Sequence, residues 1–196
     1  MSAARPSPVS PVVDDDATLV ARAAAGDERA FTAIYRRYAR YVAGVALRLT
    51  GDESEVDDVV QETFVDAAEG LASLQEGAAL RRWLVTIAAR KVARRIARKQ
   101  RQRWLSSWLG RTEPRVAAPA VEGEAFALYQ ALAEVSPERR VPWSLHVIEG
   151  LTLPEVAETC GISLATAKRR IQEATQLLTR RGQATGTGES DRGRRG

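Results

Sequence analysis

The chain has 196 residues, of which 44% are hydrophobic, and it carries a formal net charge of +4 with a sequence pI of about 9.6. A chain of this length forms one domain or two small ones. Its one cysteine, Cys160, excludes an internal disulfide, and because His146 is its one histidine, no zinc site of Cys and His ligands can form. No apolar run reaches the roughly 18 residues that span a membrane, and residues 1–11 lack the apolar stretch of a signal peptide. The composition therefore predicts a soluble cytoplasmic protein with no membrane partner.

Charge is distributed unevenly along the chain. Between Arg48 and Arg81 there is no lysine or arginine, but there are nine acidic residues. Between Glu76 and Glu113 the sign reverses, because this stretch has eleven lysines and arginines and no acid. Such a reversal predicts two surfaces that bind different partners.

The first predicted helices follow a Pro- and Ser-rich segment, residues 1–13, that is expected to be disordered. A short helix is predicted at about residues 17–25, with Asp16 as its N-cap. A longer helix is predicted at about 28–50, ending at Gly51, because apolar residues recur at three- and four-residue steps. Its predicted inward residues are Phe31, Ile34, Tyr35, Tyr38, Val42, Val45 and Leu49.

Two helices of opposite charge come next. The third predicted helix, about 53–71, has an acidic outer face, and its predicted inward residues are Val56, Val59, Val60, Phe64, Ala68 and Leu71. After a loop at about 72–77, the fourth helix runs to about residue 103 with a basic outer face. No segment alternates polar and apolar residues over the length of a strand, so the fold class is predicted to be all-α.

A second helical domain is predicted after a flexible linker at 106–121 that is rich in Ser, Gly, Pro and Ala. Its helices are expected at about 122–134, 137–149, 153–159 and 163–181, and residues 182–196 are expected to be disordered. Pro142 lies inside the second of these helices and is expected to kink it. The architecture is therefore two small helical domains joined by a flexible linker.

Residues 152–181 have the pattern of a DNA-binding helix-turn-helix. Thr152 and Glu155 form a capping-box pair, Gly161 suits the turn, and Ser163 caps the second helix. The predicted inward stripe of that helix is Leu164, Ala167, Ile171, Ala174 and Leu178. The predicted DNA-contacting residues are Ser163, Ala165, Thr166, Lys168, Arg169, Arg170, Gln172 and Glu173.

Taken in this order, the acidic helix, the basic helix, the linker and the helix-turn-helix resemble an extracytoplasmic-function (ECF) RNA polymerase sigma factor of the sigma-70 family. The residues that carry the resemblance are Gly51-Asp52, Asp57-Asp58-Val59-Val60-Gln61-Glu62-Thr63-Phe64, Trp83-Leu84, Ile87-Ala88, Glu149-Gly150-Leu151-Thr152, Glu155-Val156-Ala157 and Thr166-Ala167-Lys168-Arg169-Arg170. The resemblance implies that residues 14–105 form sigma region 2 and that residues 122–181 form region 4.

The resemblance also implies the partners, which are core RNA polymerase and promoter DNA, and an anti-sigma factor is compatible with it. The residues expected to bind polymerase are Asp57, Asp58, Gln61 and Glu62. The residues expected to bind the melted minus-10 element, beside a loop at about 74–79, are Arg81, Arg82, Arg90, Lys91, Arg94 and Arg95. Region 4 is expected to bind the minus-35 element. Trp83 is expected to pack in the core, and Trp104 and Trp108 to seal the domain edge.

Three other functions stay open from the residues alone. A regulator that binds duplex DNA as a dimer would explain the helix-turn-helix but not the opposed acidic and basic helices. A small enzyme would need a nucleophile with a base, or a metal cluster, and neither is evident, so no catalytic residue, cofactor, metal or small-molecule substrate is predicted. A helical adaptor that binds only protein is the third.

Overall fold

The computed structural model describes residues 14–74, 76–107 and 124–187, with side chains described over 14–74, 76–102 and 128–180. The predicted disordered segment 1–13, most of the predicted linker, Trp104 and Trp108 as side chains, and residues 188–196 lie outside this description. Within the described ranges the regular structure is entirely helical. The predicted all-α class is therefore confirmed.

In the described residues, eight α-helices follow one another, with three short 3-10 turns and one π-helical turn. The α-helices are α1 (Asp16–Ala24), α2 (Glu28–Thr50), α3 (Val56–Gly70), α4 (Leu80–Ser107), α5 (Glu124–Glu134), α6 (Pro137–Trp143), α7 (Leu153–Cys160) and α8 (Leu164–Thr187). The 3-10 turns are Glu53–Glu55, Leu71–Ser73 and Gly77–Ala79, and the π-helical turn is Ser144–Ile148.

Local signals at the helix ends explain most of these bounds. Gly51 ends α2 in the left-handed conformation at φ 65°, which glycine adopts without steric cost. At α1, however, the N-cap is Asp15, which accepts a hydrogen bond from the Thr18 N–H at 2.8 Å. The predicted cap, Asp16, is instead the first residue of the helix, and its carboxylate binds Arg37 at 2.6 Å.

Two helices are longer than the sequence pattern predicts. Helix α4 ends at Ser107, two residues into the predicted linker, and α8 ends at Thr187, six residues into the segment expected to be disordered. Both extensions continue a helix that already has its hydrogen-bond ladder, and adding residues to a formed helix costs little. Periodic apolar residues mark the buried part of a helix and not its full length.

The helix predicted at 137–149 is divided into two parts. Helix α6 ends at Trp143, and the chain continues as the wider π-helical turn. Pro142 is buried near the end of α6, where it has no N–H with which to continue the α-helical ladder. The expected disruption at this proline therefore takes the form of a change in helix type.

The N-terminal bundle, α1 to α4, is built around α2. Its fully buried side chains come from each of the long helices and include Ile34 and Leu49 of α2, Val59 of α3, and Leu84 and Val92 of α4. Helix α1 packs along α2 and covers one side of it with Leu19 and Val20. This bundle positions the acidic and basic helices, α3 and α4, side by side.

Three residues predicted to face inward are exposed. Tyr35 is 44% exposed and Leu164 is 51% exposed, and Ala68 also lies at the surface. Tyr35 and Ala68 line an open face between α2 and α3, where Ala67 takes the buried position instead. Leu164 is the first residue of α8, ahead of the turn in which Ala167 reaches the core.

The C-terminal helices pack directly on the N-terminal bundle. Helix α6 contacts α2 and α4, and α7 contacts α4. Buried residues of the helix-turn-helix domain, among them Val141, Leu145, Leu151 and Val156, belong to the same continuous apolar cluster as those of the N-terminal bundle. The two domains therefore share one core in this structure, a feature with no local signal in the sequence.

Candidate polymerase and nucleic-acid interfaces

The acidic surface lies on one face of α3. The four predicted polymerase-binding residues, Asp57, Asp58, Gln61 and Glu62, are all exposed, and their spacing of one and four residues places them together on the helix. The Asp58 side chain is 70% exposed and that of Glu62 is 46% exposed. The structure thus brings the predicted set onto a single surface.

An open groove of about 490 Å³ lies between α2 and α3 beside these acids. Its lining residues are Phe31, Tyr35, Asp57, Val60, Gln61, Phe64, Val65 and Ala68. The rings of Tyr35 and Phe64 meet edge to face, with their centroids 4.8 Å apart. We name this feature the α2–α3 groove. It joins an apolar floor to the acidic surface, the combination found at many protein interfaces.

Sequence reasoning missed the apolar part of this surface. Val65 is 51% exposed and follows Gln61 by four residues on the outer side of α3. An apolar side chain on the polar side of an amphipathic helix was the signal that could have identified it.

Two of the six predicted minus-10 residues point toward α3. Arg95 is only 14% exposed and lies 2.6 Å from Glu62, 3.7 Å from Glu55 and 3.8 Å from Asp58. Lys91 is 16% exposed and donates to Asp66 at 2.7 Å. Part of the acidic surface is therefore neutralised within the bundle, and these two cations join α4 to α3.

The other four predicted minus-10 residues, Arg81, Arg82, Arg90 and Arg94, are exposed. Three of them, Arg82, Arg90 and Arg94, are separated by multiples of four residues and form one stripe along α4. The Arg81 guanidinium carbon lies 4.4 Å from the centroid of the Tyr41 ring, a cation–π contact that holds the guanidinium at the surface.

Trp83 packs against the apolar core and is half-buried, in agreement with the predicted structural role. Its ring lies against Gly70, where an added Cβ would be 3.2 Å from the indole. The indole therefore closes the junction between α3 and α4.

The helix-turn-helix has the predicted local geometry. The Glu155 carboxylate accepts hydrogen bonds from the Thr152 N–H at 2.8 Å and from the Thr152 hydroxyl at 2.5 Å, and these bonds hold its pKa below the usual range. Gly161 ends α7 at φ 65°, and Ser163 caps α8 by accepting a hydrogen bond from the Thr166 N–H at 3.2 Å. The capping residues and the turn glycine are confirmed.

The predicted minus-35 residues lie on the outer side of α8. Ser163, Ala165, Lys168, Arg169 and Gln172 are exposed, and Thr166, Arg170 and Glu173 are half-buried. The Ser163 and Thr166 hydroxyls lie 2.8 Å apart and take part in the cap.

Glu173 is held by two cations. Its carboxylate accepts from Arg139 at 2.7 Å and from Arg169 at 3.3 Å, and the bond from Arg139 is the main cause of a lowered pKa. Of the three cations in the predicted set, Lys168 and Arg169 are exposed, the Arg169 side chain to 65%, and Arg170 is half-buried.

In the part of the chain that the structure describes, no helix combines the length and the apolar character needed to cross a membrane.

Comparison with known proteins identifies both domains. The sequence model of Sigma-70 region 2 matches residues 34–102, and that of Sigma-70, region 4 matches residues 125–178. The ECF RNA polymerase sigma factor SigJ of Mycobacterium tuberculosis is 30% identical over 154 residues, which cover 71% of this chain and 47% of SigJ. The chain thus spans about half the length of SigJ.

Two further proteins match over most of their length. The RNA polymerase sigma-H factor of Pseudomonas aeruginosa is 26% identical over 188 residues, which cover 84% of this chain and 92% of that factor. The sigma factor RpoE from Bartonella quintana, solved in complex with the anti-sigma factor NepR, has a TM-score of 0.57 and 24% identity over 76% of this chain and 94% of RpoE. With both regions matched in the expected order, the chain belongs to the sigma-70 family of RNA polymerase sigma factors, in the extracytoplasmic-function group.

Proposed function

We infer that α3, α4 and α8 each bind a different partner of this sigma factor, which binds core RNA polymerase and directs promoter-specific initiation of transcription. The observation that carries the inference is the separation of three chemically distinct surfaces: the acidic face of α3 with the α2–α3 groove, the arginine stripe of α4, and the cationic outer side of α8. Each surface suits a different partner.

The polymerase surface is the acidic face of α3 together with the α2–α3 groove. Asp57, Asp58, Gln61 and Glu62 supply hydrogen-bond acceptors and negative charge, which favour a basic partner and disfavour DNA. Tyr35 and Val65 add exposed apolar area beside them. Apolar anchors of this kind supply most of the binding energy at protein interfaces, and the charged rim sets orientation.

The minus-10 surface is the outer face of α4 with the loop at about residues 74–79. Arg81, Arg82, Arg90 and Arg94 carry the exposed positive charge that suits the phosphates of a separated strand. In this structure Arg82 and Arg90 are paired with Glu155 and Glu158 of α7. We assign Lys91 and Arg95, also expected to contact this element, a supporting role, because their charges are directed to α3.

The minus-35 surface is the N-terminal half of α8. In a helix-turn-helix this part of the second helix enters the major groove. Lys168 and Arg169 are suited to phosphates and guanine edges, and Gln172 is suited to adenine, while Ser163, Ala165, Thr166, Arg170 and Glu173 complete the same face.

The sigma-70 family consists of initiation factors without a catalytic role of their own. We propose that this chain likewise makes and breaks no covalent bond and that it acts in the cytoplasm, where the polymerase is. An anti-sigma factor is a further proposed partner, because the related RpoE was solved bound to one.

The test is transcription in vitro with purified core RNA polymerase on a DNA library with randomised upstream sequence. The complete chain should bind core enzyme and enrich transcripts from templates that share two separated elements. A chain that fails to bind core enzyme, or that gives the same transcripts as core enzyme alone, would overturn the proposed function. Asp58→Lys should weaken binding to core enzyme, and Glu69→Lys, at an exposed acid near the other end of α3, is the matched control.

A further inference from the structure

Glu173 is the one acid among the eight residues predicted to contact the minus-35 element, and it lies half-buried at the edge of the outer side of α8. A different arginine donates to each of its carboxylate oxygens. Oε2 accepts from Nε of Arg139, in α6, at 2.7 Å. Oε1 accepts from Nη1 of Arg169, one turn earlier in α8, at 3.3 Å. The carboxylate thus joins two arginines that come from two helices.

A carboxylate on a surface that binds DNA needs a physical reason, because it repels the phosphates. Glu173 is ionised at neutral pH, since the bond from Arg139 lowers its pKa. The two arginines that pair with it offset this charge, so the three side chains together stay positive. What the carboxylate supplies on this surface is a fixed acceptor for Arg169.

Arg139 ties this acceptor to α6, and α6 is itself firmly packed against α8. Val141 of α6 and Ile171 of α8 belong to the same buried apolar cluster. The Trp143 indole N–H, one turn after Arg139, donates to the Thr175 hydroxyl at 3.1 Å. Because these contacts fix α6, the Arg139 guanidinium has a defined position from which it orients the carboxylate.

The contact with Glu173 restricts Arg169, whose side chain is 65% exposed. A free arginine samples many rotamers at the surface, and ordering it costs entropy when it binds. A guanidinium has five N–H donors, and within the described ranges only Nη1 of Arg169 has a partner. The donors on Nε and Nη2 form a planar edge that can donate to both O6 and N7 of a guanine.

We propose that Glu173, anchored by Arg139, is a positioning residue that holds the Arg169 guanidinium in place to recognise a guanine of the minus-35 element. The proposal rests on the minus-35 role proposed above for α8. An arginine without this support would still attract phosphates, because attraction between charges needs no fixed geometry, but it would discriminate less between bases. A guanidinium in the major groove also displaces counterions, so removing it lowers the salt dependence as well.

Two substitutions remove the support while changing the charge in opposite directions. Glu173→Met removes the acceptor, and Arg139→Met removes its anchor. Arg169→Ala removes the recognising arginine itself, and Glu69→Met, at an exposed acid of α3, is the matched control for the loss of one negative charge. Each complete chain is to be combined with core RNA polymerase and transcribed on a promoter library with a randomised minus-35 element, and the thermal midpoint of each variant is to be measured.

The unsubstituted chain should favour a guanine at one minus-35 position, and Arg169→Ala should abolish this preference. Glu173→Met and Arg139→Met should each reduce the same preference by about 3- to 10-fold, which is part of the discrimination that a bidentate contact supplies. Glu173→Met/Arg169→Ala should lose no more than Arg169→Ala alone, because the support then has no arginine to hold.

Binding of random-sequence duplex by the same holoenzymes separates positioning from charge. Glu173→Met should tighten this binding by about 2- to 5-fold, because it removes a repulsive charge, and Arg139→Met should weaken it by a similar factor. Net charge cannot explain the same loss of base preference in two variants whose non-specific affinities change in opposite directions. Glu69→Met should keep the base preference, and a loss equal to that of Glu173→Met would assign the effect to charge and overturn the proposal.

The remaining outcomes are also decisive. If Arg169→Ala loses its preference but Glu173→Met and Arg139→Met keep it, the positioning role is wrong and the minus-35 role of α8 stands. The same holds if the two variants lose preference at every position together with their thermal midpoint, since that is a general structural effect. Loss of a base other than guanine in Arg169→Ala would overturn the assigned base. If Arg169→Ala changes no preference, the minus-35 role proposed for Arg169 fails, and the positioning role of Glu173 fails with it.

Discussion

The guanidinium of Arg140 occupies the space into which a side chain on Gly51 would project. A Cβ built on Gly51 overlaps the guanidinium, and the backbone there has φ +65°. Two independent constraints therefore require glycine at this position. One is the left-handed conformation that ends α2, and the other is the approach of α6 from the second domain.

These two constraints can be separated by mutation. Gly51→Ala should lower the free energy of unfolding by about 1–2 kcal/mol from backbone strain, with a further loss as Arg140 is displaced. Gly150→Ala is the matched control, because Gly150 has φ +72° with nothing within 4 Å of its Cβ position. Denaturant unfolding of the two variants gives the comparison. Equal losses would show that the guanidinium does not fill the space beside Gly51.

The α2–α3 groove gives a prediction about polymerase binding. Val65→Asp should weaken affinity for core enzyme by about 10-fold or more, because it places a charge on the apolar part of the proposed interface. Stability should change little, since Val65 is 51% exposed. Val147→Asp, at a side chain that is 53% exposed in the other domain, is the control. Affinity measured by fluorescence anisotropy should fall for the first variant alone.

Arg94 and Arg95 are adjacent in sequence but have different surroundings, so their substitutions should have different effects. Arg95→Met should lower stability by about 1–3 kcal/mol, because it removes the half-buried cation that pairs with the Glu62 carboxylate at 2.6 Å. Arg94→Met should leave the thermal midpoint unchanged and weaken binding of the minus-10 single strand. Calorimetry and an oligonucleotide titration measure the two effects. The same loss of stability in both variants would contradict the assignment of Arg95 to the α3–α4 contact.

The minus-35 surface predicts a change in salt dependence. Lys168→Ala and Arg169→Ala should each weaken duplex binding and reduce the slope of log K against log salt by about 0.9, the value expected for one lost phosphate contact. Arg180→Ala removes an exposed cation from the distant part of α8 and should leave the slope unchanged. Slopes that fall equally in all three variants would indicate a diffuse electrostatic effect and not a defined surface.

Cys160 gives a prediction about pH. Burial raises the pKa of its thiol to about 11, so alkylation at pH 8 should be about 100-fold slower than that of an unperturbed cysteine. The folded state favours the neutral thiol, and its contribution to stability should decrease as the pH rises from about 9 to about 11. The Val147→Cys/Cys160→Ser variant provides an exposed thiol for comparison. Equal alkylation rates for the two thiols would show that Cys160 is accessible.

Much of the fold was predictable from local patterns. The spacing of apolar residues predicted the bounds of α2 as observed, and Thr152, Gly161 and Ser163 marked the ends of the helix-turn-helix correctly. These signals depend on side chains three or four residues apart, which interact whatever the rest of the chain does. The acidic and basic outer faces of α3 and α4 were visible for the same reason.

The contact between the acidic face of α3 and the basic face of α4 was not predictable from local patterns. Arg95 and Arg94 are chemically identical in sequence, and only the position of α3 beside α4 turns one of them away from solvent. The apolar periodicity predicts that Tyr35 and Leu164 face inward, but in the described part of the chain no helix covers them. Periodicity identifies a stripe along a helix, and the neighbouring helices determine how much of that stripe is buried.

The relation between the two domains depended most completely on tertiary structure. Arg140 has the sequence signature of an ordinary surface arginine, yet it binds the carbonyl of Leu49, 91 residues earlier in the chain. Local composition determined that there are two helical domains and which of their faces carry charge. The packing of one domain on the other depends on complementary surfaces brought together over that distance, and no pattern within a single helix specifies them.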